Sequence, residues 1–198
     1  MKKGKTFLRY AVGIIFSLIY IMPIWMVVVN SFKEKKEANL MGLGLPKTFT
    51  LDNYIQIFEG GGIVRAFFNG LIQAGSSTFI VLVVGSLAAF VIARSRNKII
   101  SNLYYVFLLG LVVPIAYIPT YLVLDILGLM NTHFGYVCVH ATYGLPLAIF
   151  LYTAAVKGIP RELDEAAMID GSSCWYLYRK IIFPLLRTTT ATLFILIL

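Results

Sequence analysis

Four stretches of this chain each run for more than twenty residues without an Asp, Glu, Lys or Arg: Tyr10–Phe32, Ala66–Ala93, Ile99–Leu124 and Ile126–Val156. A helix needs about 20 apolar residues to cross a bilayer. In the hydrocarbon core every backbone polar group must be paired within the segment, so such runs are read as helices. In the fourth run the span is placed from Phe134 onward. A fifth begins at Thr188 and reaches Leu198 about halfway across. The expected architecture is therefore an all-α polytopic membrane protein with four complete spans and the start of a fifth. The spans fall at 10–32, 66–93, 99–124, 134–156 and 188–198. Between them lie an N-terminal segment, 1–9, and connecting segments at 33–65, 94–98, 125–133 and 157–187. Composition agrees: 59% of residues are hydrophobic and only 13% charged, where soluble domains carry about 25%. The half-length fifth span reads as a partial sequence or a truncated product.

Lys and Arg placement sets the expected orientation. Lys2, Lys3, Lys5 and Arg9 precede the first span, Arg94, Arg96 and Lys98 separate the second and third, and Lys157, Arg161, Arg179, Lys180 and Arg187 follow the fourth. With the N-terminus inside, all of these are cytoplasmic. Only Lys33, Lys35, Lys36, Lys47 and Arg65 lie outside, diluted by Glu34, Glu37, Asp52 and Glu59. The net charge of +8 is thus accounted for by membrane anchoring, and no base-stacking or groove-reading motif accompanies it, so no nucleic-acid partner is expected. The first run exceeds the 7–15-residue core of a signal peptide and has no small-residue cleavage site after it, so it reads as a retained anchor.

The spans hold no deep ionisable residue; Asp125 sits at the outer edge of the third. Proton- and ion-coupled carriers place such groups in the membrane, so the energy is expected from elsewhere. No G-x-x-x-x-G-K-[ST] loop is present, and the chain is not expected to hydrolyse ATP itself. No nucleophile–base set is visible, and neither an enzyme site nor a cofactor is expected. His133 and His140 lack a third ligand at metal spacing and read as interfacial polar residues. Cys138 and Cys174 fall near opposite membrane faces and are read as unpaired.

The segment 157–187 concentrates charge between two apolar spans: Lys157, Arg161, Glu162, Asp164, Glu165, Asp170, Arg179, Lys180 and Arg187. Pro160 suits the first position of a helix, and Glu162, Asp164 and Glu165 suit its first turns, where the dipole favours negative charge. Gly171 is a natural stop. Ser172 can cap a second helix on which Trp175, Tyr178 and Ile182 share a face, and Pro184 marks the bend into the next span. Ala166 and Ala167 would let another backbone approach closely. Read from these residues alone, the segment is either a plain connecting helix-turn-helix or a docking surface.

Glu165-Ala166-Ala167, then three residues, Gly171, nine residues and Ile181-Ile182-Phe183-Pro184 resembles the "EAA" loop of permease subunits of ATP-binding-cassette (ABC) importers. The family signature ends Ile-x-Leu-Pro, with Phe183 here in place of Leu. The run Ile159–Gly171 looks most like the carbohydrate-uptake branch, of the maltose-permease type. Two other passages point the same way. Pro46-Lys47-Thr48-Phe49-Thr50-Leu51-Asp52-Asn53-Tyr54 resembles a "Pro-x-x-Phe-Thr-x-x-Asn-Tyr" passage before the second span. Leu127-Gly128-Leu129-Met130-Asn131-Thr132 resembles a "Leu-Gly-Leu-x-Asn-Thr" turn between the third and fourth.

The resemblance implies a type I ABC importer permease fold in the plasma (inner) membrane. It implies cytoplasmic ABC ATPase subunits, a second permease subunit and an extracytoplasmic solute-binding protein as partners, with the lipid bilayer around the spans. The cargo would be a sugar or oligosaccharide. The ATPase-docking residues would be Glu165, Ala166, Ala167, Met168, Asp170, Gly171 and Pro184. Two alternatives stay open: the same architecture with a non-sugar solute, and a truncated, non-transporting membrane protein that only binds the ATPase. Within the spans, the small residues Gly70, Ala74, Gly75, Ser76, Ser77, Gly85, Ser86, Ala88, Ala89 and Ala93 read as a packing face. Pro114, Pro119 and Pro146 are expected to interrupt helical hydrogen bonding.

Overall fold

The computed structural model describes residues 2–198. Met1 and the side chains of residues 2–9 and of Ala11 lie outside the described set, and with them Lys2, Lys3, Lys5 and Arg9 of the orientation reading. Among the described residues every regular element is helical. Three helices are long and apolar enough to cross a membrane, or five if each of two sharply bent helix pairs is one span. The chain divides into two compact units, 1–68 and 69–198.

The first unit holds α1 (Lys2–Ser31), the short α2 (Lys35–Ala38), α3 (Asp52–Glu59) and the start of α4 (Gly62–Arg94). The segment after α1 is not a slack connector, because it is tied back onto the end of the helix. Phe49 stacks on Phe32 with ring centroids 4.8 Å apart, and the Thr50 amide donates to the Phe32 carbonyl. Asn53 Nδ2 donates to the carbonyls of Ser31 and Lys33 at 3.0 and 2.8 Å, and the Tyr54 hydroxyl donates to Ser31 Oγ at 2.7 Å. The Phe-Thr-x-x-Asn-Tyr passage thus satisfies carbonyls that the C-terminus of a helix leaves unpaired. Lys33 is buried beside it, its ammonium donating to Asn30 Oδ1 and the Gly42 carbonyl.

The second unit holds the rest of α4, α5 (Lys98–Val112), α6 (Tyr117–Ile126), α7 (His133–Lys157), α8 (Glu162–Ile169), α9 (Cys174–Tyr176), a π-helical stretch (Leu177–Ile182), α10 (Phe183–Leu185) and α11 (Arg187–Ile197). Its core is built on α4 against α7. The small residues read as a packing face supply much of the buried side of α4: Ser77, Gly85, Ser86, Ala89 and Ala93, with Thr78, Val81, Phe90 and Ile92 between them. At Gly85 the approach is closest. A Cβ there would lie 2.9 Å from Ala148 Cβ, below any carbon–carbon contact. Tyr152 is fully buried in the same seam, and its hydroxyl donates to Thr190 Oγ1 at 2.9 Å, tying α7 to α11.

The prolines act differently from one another. The region 99–124, expected as one span, is two helices bent by 110° around residues 113–116. Val113, the residue before Pro114, is extended (φ −69°, ψ 124°), as the proline ring demands of its predecessor. Pro119 does not interrupt a helix. It lies in the first turn of α6, where its missing N–H would have had no partner. Pro146 does not break α7 either; the helix runs through it, and its ring sits where a side chain at Gly110 would be, 3.1 Å from that Cβ position. The Leu-Gly-Leu-x-Asn-Thr turn is explained by local chemistry. Gly128 and Asn131 take positive φ, and the Thr132 hydroxyl accepts the Gly135 amide at 3.0 Å to cap α7.

Candidate functional site: the loop helix and its anchor

The loop forms its turn in a specific way. Helix α8 begins at Glu162, two residues past Pro160, so the proline precedes the helix instead of opening it. Glu162, Asp164 and Glu165 occupy the first turn, which the helix dipole favours. The helix ends in a reversal at Gly171 (φ +76°), with the Gly171 amide bonded to the Met168 carbonyl and the Ser172 amide to that of Ala167. This is the paired closure of a helix ending on a left-handed glycine. It uses the Ser172 backbone to finish α8, so the cap of the next helix moves one residue on. Ser173, not Ser172, accepts the Tyr176 amide at 3.2 Å. The following helix widens into π-geometry over Leu177–Ile182, which shifts the faces. Tyr178 and Ile182 are buried while Trp175 is exposed, yet the Trp175 ring still packs on Tyr178 with centroids 5.6 Å apart.

Three side chains of α4, each four residues after the last, receive this loop. Ser86 Oγ and the Tyr178 hydroxyl are 2.7 Å apart in the buried interior, and Phe90 packs on the Tyr178 ring at 5.5 Å. At the last residue of the helix, Arg94 Nε lies 2.7 Å from Asp164 Oδ2. Arg94 Nη2 donates to Asp164 Oδ1 at 3.3 Å and to the Ile159 carbonyl at 3.0 Å. Both partners are nearly buried, at 12% and 10% side-chain exposure. Nη2 makes both hydrogen bonds, whereas Nε meets the carboxylate as a close ionic contact without hydrogen-bond geometry. Losing one partner of a buried pair strands the other charge, at a cost of about 3–5 kcal/mol.

The expected docking residues divide accordingly. Glu165, Ala166, Met168, Asp170 and Gly171 are exposed, and within α8 only Asp164 and Ala167 are buried. Ala167 is 5% exposed and packs into the core with Leu177, Tyr178 and Ile182. Its small side chain serves internal packing, because positions 164 and 167 share the inward face. Pro184, half-buried at the start of α10, lines a separate cleft with Leu82 and Arg187. Beside the exposed face of α8 opens a cleft of about 340 Å³. Arg94, Arg96, Arg161, Asp164, Glu165 and Met168 are among its lining residues. The anchor residues Ser86, Phe90 and Arg94 were not legible as a set in the sequence. Arg94 reads there only as a charge at the end of a span.

His133 and His140 lie apart in role. Gln73 Nε2 and His133 Nδ1 are 2.8 Å apart, and His140 stacks on Tyr136.

Residues 60–198, which include α4, the loop and its anchor, match the family model described as "Binding-protein-dependent transport system inner membrane component". Over 194 residues the chain is 38% identical to the probable starch degradation products transport system permease protein AmyC of Thermoanaerobacterium thermosulfurigenes, covering 97% of this chain and 70% of that protein. It is 34% identical to the multiple sugar-binding transport system permease protein MsmG of Streptococcus mutans, covering 96% of this chain and 70% of the relative. Among solved structures it resembles a chain of a bacterial ABC transporter involved in the import of the acidic polysaccharide alginate. There the TM-score is 0.85 at 19% identity, over 98% of this chain and 69% of that one. With its apolar helices, the chain is a multi-pass membrane protein that belongs to the family of binding-protein-dependent transport system inner membrane components.

Proposed function

We propose that this chain is a permease subunit of an ATP-driven, binding-protein-dependent importer whose cargo is a sugar or oligosaccharide, and that α8 is the helix on which an ABC ATPase subunit docks. The observation that carries the docking reading is the contrast within α8. Asp164 and Ala167 fasten the helix to the chain's own core, while Glu165, Ala166 and Met168 are exposed. A helix that merely connected two spans would not need its inner face locked by a nearly buried ion pair. The names of the relatives, which concern starch breakdown products and multiple sugars, support the cargo class. A membrane interior without deep ionisable residues suits a neutral solute.

In this reading the N-terminus and the loop 157–187 are cytoplasmic, following the Lys and Arg bias. A second permease subunit completes the path and an extracytoplasmic binding protein delivers the solute. Closure of the ATPase pair moves α8 as a rigid piece: Glu165 supplies the polar contact, Ala166 the close approach and Gly171 the turn that holds the helix at its angle. The test is Glu165→Lys and Gly171→Asp in the assembled transporter. Both are expected to lower co-purification of the ATPase and sugar uptake by about tenfold or more, with the permease still present in the membrane. Wild-type association and uptake in both variants would remove α8 from the docking role.

A further inference from the structure

The ion pair between Arg94 and Asp164 joins the end of α4 to the first turn of α8. Arg94 is the final residue of a 33-residue apolar helix. Asp164 stands in the first turn of α8, one residue before the exposed Glu165. The guanidinium also holds the Ile159 carbonyl, so it grips both the helix and the strand of chain that enters it. Two turns and one turn earlier on the same stripe of α4, Ser86 and Phe90 grip Tyr178, beyond the Gly171 turn. Both arms of the loop are therefore fixed to one line of α4. The two grips differ in kind. Tyr178 is held by ring packing and a neutral hydroxyl–hydroxyl hydrogen bond, whereas Arg94 and Asp164 pair full charges with little exposure to solvent.

We infer that Arg94 and Asp164 are positioning residues for energy coupling: the pair makes α8 and the end of α4 move as one body, so that displacement of the loop helix tilts the span. This rests on the proposed docking role of α8. Without the pair, α8 would still present Glu165, Ala166 and Met168 to an ATPase, but part of its displacement would be lost as rocking against α4. The expected signature is hydrolysis that continues while transport lags.

The experiment uses the assembled transporter in proteoliposomes with its ATPase and binding protein. It measures ATPase co-purification, ATP hydrolysis and solute moved per ATP. Arg94→Gln and Asp164→Asn are expected to keep ATPase co-purification within about twofold of wild type while solute moved per ATP falls about tenfold. The exchange Arg94→Asp with Asp164→Arg is expected to recover at least about a third of the wild-type ratio. Arg94→Lys keeps the charge but replaces the planar guanidinium with a single ammonium; it serves where the neutral variants do not reach the membrane, with an expected fall of about threefold. An unchanged ratio in Arg94→Lys and in every neutral variant that reaches the membrane overturns the inference. So does an exchange variant no better than the single ones. Glu165→Lys, run alongside, separates the two claims. If it binds the ATPase normally, the docking reading fails whatever the ion pair does. If it loses the ATPase while the Arg94 and Asp164 variants transport normally, only the coupling inference fails.

Discussion

Replacing Gly85 with alanine adds one methyl group at the tightest point of the α4–α7 seam, and the structure says how badly it fits. The new Cβ would stand 2.9 Å from the Cβ of Ala148, where carbon atoms rest comfortably at about 3.5–4.0 Å. Neither methyl has a torsion that could carry it away. The two backbones must therefore separate by roughly 0.6 Å or more at that level, and the fully buried Tyr152 and Val81 beside it would loosen with them. Overpacking of this kind costs about 1–3 kcal/mol. In a chain of this length each kcal/mol moves the melting temperature by about 2–4 °C. The other atoms near the new methyl, Tyr152 Cδ2 at 3.8 Å and the Ala148 carbonyl carbon at 3.9 Å, are at ordinary contact. Hence Ala148→Gly should rescue Gly85→Ala by moving the methyl from one helix to the other, although it costs about 0.5–1 kcal/mol alone for glycine in a helix. Thermal unfolding of the purified permease in detergent, run as a double-mutant cycle, should give a coupling of at least about 1 kcal/mol in favour of the double variant. Strict additivity of the two changes, or a Gly85→Ala protein as stable as wild type, would refute the packing reasoning.

Gly171→Ala should lower stability by about 1–2 kcal/mol through backbone strain alone, since nothing lies within 4 Å of the added methyl. Gly171→Asn, which tolerates positive φ better, should cost less, and the order of the two melting temperatures checks it. With Cys138 replaced by Ser, the exposed Cys174 should react with a membrane-impermeant maleimide in inside-out vesicles and not in intact cells. The reverse pattern would overturn the orientation read from Lys and Arg.

The motif spacing, the Gly171 turn and the small-residue face of α4 could all be read along the chain, because each depends on residues close in sequence or on a simple period. What could not be read required knowing which segments meet. Arg94 and Asp164 are 70 positions apart, and Ser86 and Tyr178 are 92 apart; each looks unremarkable until α4 and the loop are brought together. Ala167 reads as a docking alanine by motif, yet the register of α8 turns it inward beside Asp164. The second cap falls on Ser173 instead of Ser172 for a similar reason: closing α8 on Gly171 consumes the Ser172 amide. Pro114 broke its helix as proline chemistry requires, whereas Pro119 and Pro146 did not. What decides is position within the helix and the neighbour facing the ring, and a single sequence displays neither.

Contact between α8 and an ABC ATPase can be read directly by placing a photo-crosslinking amino acid at Met168, which is 62% exposed, irradiating the intact transporter in the membrane and identifying the adduct. A docked α8 gives a covalent product with the ATPase subunit, lost in a Glu165→Lys background. Efficient crosslinking that reaches only lipid or the partner permease, with the ATPase bound and active, would contradict docking.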